Sequence, residues 1–168
     1  MKAVGVLIAI ALALALQTTL AGVLVGGAAA LDLVLVVVVY VALTSGPVTG
    51  MFAGSLAGIA QDALSGGVIG IGGLAKSTVG FLAGAVSQQF IVTAAIPRFL
   101  MFMAATGLHA AVFMGVYAGL GIRSFSSPLT AVVGQAAANA AVGIIAFSIV
   151  EALPGVVERR RLSRRPKH

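Results

Sequence analysis

Long apolar stretches with very few charges constrain this chain more than any other feature. Of its 168 residues, 60 % are hydrophobic and 8 % are charged, and the mean hydropathy is +1.15. Most of the chain therefore cannot be solvated surface, and we expect an integral membrane protein. A spanning helix takes about 20 residues and each connection a few more, so the length allows about five or six spans.

The breaks between the apolar stretches predict six helices. They are expected at about residues 3–24, 28–43, 47–65, 70–90, 97–121 and 128–153. The second contains a run of four valines, which favours a strand by residue type, but an isolated strand in a bilayer would leave its backbone hydrogen bonds unmade. The sequence therefore predicts an all-α membrane protein: a compact bundle of six transmembrane helices at residues 1–157, followed by a basic tail at 158–168.

Positive charge is concentrated near the termini and predicts the orientation in the membrane. The net charge is +6, and Arg98 and the tail arginines fall on the same side of a six-helix bundle as both termini. Loops rich in lysine and arginine stay in the cytoplasm, so both termini are predicted to be cytoplasmic. We expect no nucleic-acid partner, because these cations are placed to fix topology and to attract anionic lipids. The tail arginines are Arg159, Arg160, Arg161, Arg164 and Arg165.

Helix three carries a glycine stripe that ends in an acid. Gly50, Gly54 and Gly58 follow one another at four-residue spacing, and Asp62 is the next step. Residues four apart are neighbours on a helix surface, and small ones let membrane helices approach closely. Glycine pairs with the same spacing lie on helices four and five, and we expect all of these glycines to pack helices together. The pairs are Gly80 with Gly84 and Gly115 with Gly119.

Asp62 is the first candidate for a functional site. An ionised carboxylate in a membrane is costly, and in the last turn of a helix the dipole also disfavours it. Lys76, in the second turn of helix four, is an available partner on the same side. Two roles stay open: an internal ion pair or loop clamp, and a contact site for a partner. The loop residues Ser65, Gly66, Gly67 and Gly70 belong to the same candidate site.

The other polar residues have structural explanations. Asp32 is expected to cap the start of the second helix, where an acid beside free N–H groups is favourable. His109 is expected to be a hydrogen-bonded core histidine. Gln135 and Asn139 are expected to bond across helices, and a polar pocket shared with His109 is the alternative. The chain has no cysteine and no evident catalytic set or metal-ligand cluster, so we predict no enzyme, no cofactor and no metal.

The order of these features resembles the MreD family, small membrane subunits of the bacterial rod-shape machinery. Leu16–Leu20 is similar to that family's polar patch, and Leu31–Leu35 with Tyr40–Leu43 is similar to its Pro-Asp-Leu-Leu-Leu…Tyr-Leu-Ala-Leu segment. Gly46–Pro47 and Gln61–Gly70 resemble its Gly-Pro…Glu-Asp-Leu-Leu-Ser-Gly-Gly-Pro-Leu-Gly signature, with a glutamine in place of the first acid and a valine in place of the later proline.

This resemblance implies a non-enzymatic protein of the bacterial cytoplasmic (inner) membrane that binds MreC directly. Through the complex it would work with MreB, a SEDS glycosyltransferase and a class B penicillin-binding protein in lateral peptidoglycan synthesis. Glycine-lined faces of helices three to five would give close contacts, and the segment from Asp62 to Gly70 would stabilise the bundle or meet the partner.

The resemblance also implies a fold similar to the substrate-binding subunits of energy-coupling-factor vitamin transporters. The alternative function is therefore a subunit that captures a small molecule for transport. Such a subunit should present a polar pocket from its outer loops and helix ends. Asp62, Lys76, His109, Gln135 and Asn139 are the residues available for that pocket. A third reading, an intramembrane enzyme, lacks an acid–base pair.

Overall fold

The computed structural model of the chain describes residues 3–23, 31–90, 92, 94–122 and 128–152. These residues form six helices and no strand, which confirms the all-α prediction and the number of helices. The basic tail predicted at 158–168 lies outside the described residues. The helices are α1 (Ala3–Val23), α2 (Leu33–Ser45), α3 (Pro47–Ser65), α4 (Ile71–Gln89), α5 (Ala95–Gly119) and α6 (Pro128–Ala152).

The short helix α2 lies in the centre of the bundle. Val34, Val38 and Val41 belong to one core cluster with side chains of α1 and α3. Leu35 and Val39 belong to a second cluster with side chains of α4, α5 and α6. A helix that is apolar on all sides is stable when neighbours surround it. The valine run is therefore helical, as the requirement for internal backbone hydrogen bonds predicted.

The start of α2 differs from the prediction. Residues 31 and 32 are not helical, and the side chain of Asp32 accepts a hydrogen bond from the N–H of Leu35 at 2.8 Å. This cap begins the helix at Leu33 rather than at about residue 28. With 13 residues α2 is about 20 Å long, less than the hydrocarbon thickness of about 30 Å.

Two of the described helices are long and apolar enough to cross a membrane, judged by length and composition. They are α5 and residues 129–152 of α6. Shorter apolar segments occupy residues 3–19 and 33–45. Large apolar side chains are exposed on the outside of the bundle, among them Leu12, Phe52, Leu100 and Ile145. The six membrane spans expected from the sequence stay a prediction.

The glycine stripe of α3 lies against α4. A side-chain carbon added to Gly54 would overlap the backbone carbonyl of Lys76, and one added to Gly58 would overlap that of Gly72. At the other end of the stripe, Gly50 and Gly80 approach each other in the same way. Glycine lets these two antiparallel helices pack with their backbones in contact. The glycine stripe is therefore covered by α4 inside the bundle.

The remaining glycine pairs differ from each other. A side-chain carbon at Gly84 would overlap the backbone of Pro47, so this glycine also packs α4 against the start of α3. Gly115 and Gly119 were expected to pack α5 in the same way, but no described atom lies within 4 Å of a carbon added at either position. Both are exposed, so spacing alone did not show which face of α5 meets the bundle.

Consecutive helices run antiparallel, which gives the bundle two chemically different ends. At one end, here called the cavity end, α1, α3 and α5 end and α2, α4 and α6 begin. Towards this end the start of α2 bonds to α1, to the second turn of α4 and to the middle of α6, and the loop after α3 bonds to the last turn of α5. At the opposite, terminal end, the start of α5 contacts the end of α6. The polar residues singled out from the sequence divide between these two ends.

Candidate functional site

Asp62 joins the end of α3 to the start of α4. Its Oδ2 atom accepts hydrogen bonds from the backbone N–H groups of Gly70 and Gly72, both at 2.9 Å. Gly70 has no side chain with which to cap α4, so the Asp62 carboxylate takes that place from the preceding helix. The positive end of the α4 dipole thereby offsets the unfavourable position of the acid at the end of α3. This geometry is that of a loop clamp.

The loop at residues 66–70 is fixed from two sides. Gly66 and Gly70 have φ angles of 66° and 106°, in the left-handed region that favours glycine. Asp62 holds the end of the loop at Gly70, and the Tyr117 hydroxyl of α5 accepts a hydrogen bond from the N–H of Val68 at 3.3 Å. The loop is exposed. These contacts with α3 and α5 nevertheless hold it in one conformation.

Lys76 does not pair with Asp62, the partner available in the sequence. Its Nζ atom lies 2.7 Å from Oδ2 of Asp32 and 3.1 Å from Nε2 of His109. The three residues are buried, with exposed fractions of 2 % for Lys76, 4 % for Asp32 and 8 % for His109. Because an ammonium group only donates, Nε2 of His109 accepts in this contact. Asp62 is instead bound by the backbone N–H groups of Gly70 and Gly72.

Asp32 is the residue on which most of the buried polar network converges. One carboxylate oxygen caps α2 and the other binds Lys76, and its backbone N–H donates to Oδ1 of Asn139 at 3.0 Å. Nδ2 of Asn139 then donates to the hydroxyl of Thr106 at 3.1 Å. The cap predicted for Asp32 is present, and it is also part of an ion pair. The network links α2, α4, α5 and α6, so it orients four helices at once.

A polar cavity of about 220 Å³ lies beside this network at the cavity end. Charged and amide side chains from several helices line it, and Gln135 and His109 are both among them. The lining also includes Leu31, Ser65, Gly72 and Phe113. The polar lining residues are Gln17, Asp32, Gln61, Asp62, Ser65, Lys76, His109 and Gln135. Gln135 and His109 thus share the polar pocket that the sequence left as an alternative. Asn139 does not line it, and its hydrogen bonds to Asp32 and Thr106 are the contacts across helices that were expected.

Arg98 at the terminal end is buried, although it was expected to extend towards lipid head groups. Its guanidinium makes two parallel contacts with Glu151 of α6, at 3.0 and 2.6 Å. Its Cζ also lies 4.3 Å from the ring centroid of Phe147. A bidentate pair with stacking on an aromatic ring is a favourable arrangement for arginine. The correction arises because α6 brings an acid to the start of α5.

Sequence reasoning missed Glu151, Gln17 and Gln61 as site residues. Glu151 is the only acid between Asp62 and the tail, so the need to pair a charge in a membrane was a usable signal. The two glutamines gave no comparable signal, because their place beside the cavity depends on how α1 and α3 meet. Among the described residues, no group of three His, Asp or Glu side chains could hold a metal ion.

The fold and this site together define a class. A helical bundle with exposed apolar faces, whose buried charges are paired between its own helices, is a helical membrane protein. A family model described as rod shape-determining protein MreD matches residues 2–153, and the chain belongs to the MreD family. Members of this family are membrane proteins that determine rod cell shape. No curated protein and no solved structure matches the chain.

Proposed function

We propose that this protein is a non-enzymatic membrane scaffold of the bacterial elongation complex, which binds MreC and supports lateral peptidoglycan synthesis. The match to the MreD family over residues 2–153 is the observation that carries the proposal. The site supports it, because its charged groups are engaged in holding helices and a loop in place. MreB, the SEDS glycosyltransferase and the class B penicillin-binding protein would be reached through the complex.

The proposal includes a location in the cytoplasmic membrane, with all six helices in the bilayer and both termini in the cytoplasm. The lengths of the flanking helices support it, since α1, α3 and α4 have 21, 19 and 19 residues, close to one bilayer thickness. The central helix α2 is shorter, but its neighbours surround it. In this orientation the cavity end faces the cell exterior. The cytoplasmic tail attracts anionic lipids.

The exposed loop at residues 66–70 is the surface proposed to meet MreC. Val68 and Ile69 expose apolar side chains there, while Asp62 and Tyr117 hold the backbone. A surface that is already ordered loses little conformational entropy when it binds. The glycine stripe of α3 does not take part in this proposal, because α4 already covers it. A Gly54→Leu variant therefore tests folding and not the interface.

Ile69→Glu tests the proposed contact, with Leu129→Glu as its control. Both side chains are large, apolar and exposed at the cavity end, at 65 % and 74 %. A charge at the centre of an interface commonly costs 2 kcal/mol or more, so we expect at least about a tenfold loss of MreC in co-purification with Ile69→Glu. Leu129→Glu should retain it. Equal recovery with both variants, each correctly inserted, would place MreC elsewhere.

One observation favours a second candidate function, the capture of a small molecule for transport. The cavity assembles Asp62, Lys76, His109 and Gln135, four of the five residues that a small-molecule transport subunit could use. Deletion of the gene in its own rod-shaped host separates the two functions. Rounded cells with normal vitamin uptake support the scaffold, whereas rods with impaired uptake support the transport subunit.

A further inference from the structure

A cleft between α1 and α3 opens beside the polar cavity. It has a volume of about 320 Å³ and is lined by Leu14, Gln17 and Thr18 of α1 and by Gln61, Leu64 and Ser65 of α3. Among the described helices, α1 contacts only α2 and α3, so no other described helix packs against its outer side. The cleft therefore faces the surroundings of the bundle directly.

The cleft and the cavity share part of their walls. Gln17, Gln61 and Ser65 line both, so these three side chains stand on the border between them. The outer part has apolar walls at Leu14 and Leu64, whereas the inner part contains the buried charges. Lys76 marks the inner end, and it lies five residues after the start of α4, about 7 Å along the helix. The combined space is apolar towards the lipid and polar within.

Most polar groups along this space already have partners. Lys76 holds Asp32, Asp62 binds two backbone N–H groups, and the side-chain oxygen of Gln17 accepts from the N–H of Val34 at 3.2 Å. Gln61 differs, because its Oε1 atom is inaccessible to solvent and has no hydrogen-bond partner among the described residues. A buried acceptor without a donor is unfavourable, so an entering donor would gain this bond.

The charge of the cavity adds a second requirement. Two carboxylates, Asp32 and Asp62, and a single ammonium group, that of Lys76, line the cavity. His109 presents Nε2 as an acceptor to the same ammonium. The excess of negative charge and acceptors favours a positively charged group that donates hydrogen bonds at this position.

We propose that the cleft and cavity bind a membrane lipid whose head group carries a primary ammonium, as phosphatidylethanolamine does. The ammonium lies at Gln61, which has cavity space on both sides in which its amide can turn, and the acyl chains leave between α1 and α3. The apolar outer walls favour a lipid over a water-soluble amine. This site is separate from the exposed loop proposed to meet MreC, and it does not depend on MreC binding.

A tryptophan reporter tests the proposal, because the chain contains no tryptophan. Leu64→Trp places the reporter on the cleft, and Leu120→Trp is a matched control at the cavity end, with 63 % and 62 % exposure of the native leucines. The full-length variants are reconstituted in phosphatidylcholine vesicles. About 10 % of the lipid carries bromine on its acyl chains, and this brominated lipid is either phosphatidylethanolamine or phosphatidylcholine. Quenching of the tryptophan fluorescence is then compared between the two brominated lipids at the same fraction.

We expect brominated phosphatidylethanolamine to quench the fluorescence of Leu64→Trp more strongly than brominated phosphatidylcholine does. The difference should correspond to a roughly tenfold higher affinity. The Leu120→Trp reporter should respond equally to both lipids. The two head groups have the same charge, but only the primary ammonium donates hydrogen bonds. Equal quenching by both lipids at the cleft reporter overturns the proposal, and so does the same preference at both reporters.

Two further variants, made with the cleft reporter, test the role of Gln61. Gln61→Leu removes the acceptor and should abolish the preference, whereas Gln61→Glu keeps an acceptor and should retain or increase it. Circular dichroism and size-exclusion profiles verify folding in each case. If Gln61→Leu does not fold, loss of the preference in Gln61→Glu overturns the proposal and its retention supports it. An unchanged preference in folded Gln61→Leu also overturns it.

Discussion

Replacing Lys76 by methionine is expected to destabilise the bundle by about 3–5 kcal/mol, the usual cost of removing one member of a buried ion pair. Methionine is close to lysine in length but carries no charge. Asp32, which is 4 % exposed, would lose its donor at 2.7 Å and keep only the N–H of Leu35 on its side chain. His109 would lose a donor at 3.1 Å.

The double variant Lys76→Met/Asp32→Asn separates this cause from a simple packing defect. Asparagine keeps an oxygen for the N–H of Leu35 and removes the unpaired charge. It should therefore recover more than half of the loss, about 1.5 kcal/mol or more. Unfolding of the purified proteins by sodium dodecyl sulfate in mixed micelles, followed by circular dichroism, gives the free energies.

Asp62→Asn provides the matched comparison in the same cycle. Asp62 binds backbone N–H groups and not Lys76, so its effect should add to that of Lys76→Met within about 0.5 kcal/mol. Coupling of Lys76 to Asp32 should be several times larger than its coupling to Asp62. A loss below about 1 kcal/mol for Lys76→Met, or stronger coupling to Asp62, would refute this assignment of the ion pair.

Three further predictions address the helix contacts and the loop. Gly54→Leu should destabilise the protein by more than about 3 kcal/mol because of overlap with α4, whereas Gly115→Leu should change its stability by less than about 0.5 kcal/mol; equal effects in the same unfolding assay would contradict this difference. Asp62→Ala should increase the rate of proteolysis at residues 66–70, and Asp62→Asn should increase it less, because asparagine keeps an acceptor for the N–H of Gly70. An unchanged rate of proteolysis in Asp62→Ala would show that the carboxylate does not hold the loop. Arg98→Lys should cost about 1–2 kcal/mol, since lysine cannot make the bidentate contact with Glu151, and an unchanged unfolding free energy would argue against it.

Local features of the fold were accessible from the sequence. Pro47 begins α3, and Gly66 ends it in the left-handed conformation, and both positions agree with the backbone preferences of these residue types. Asp32 caps α2, although the apolar residues before it had suggested an earlier start. The chain order of such signals also supported the family resemblance, which the match over residues 2–153 confirms. Each signal acts within a few residues of backbone, so no knowledge of the helix arrangement was required.

The site depended on contacts that no local signal specifies. Two acids, Asp32 and Asp62, lie at the same end of the bundle as Lys76. Only the packing of α2 against α4 shows that Lys76 pairs with Asp32 and not with Asp62. Arg98 was assigned to Glu151, 53 residues away, by the pairing of α5 with α6. Glycine spacing was equally suggestive on α3 and α5, yet only the α3 stripe meets another backbone.

The sequence by itself therefore determined an all-helical membrane protein of the MreD family, because hydropathy, caps and motif order are properties of the chain. Tertiary structure alone decided which charges neutralise one another and which polar side chains border a cavity. A buried charge requires a partner but does not specify which one. That choice belongs to the helix packing, which here brings Asp32, Lys76 and His109 together from three different helix segments.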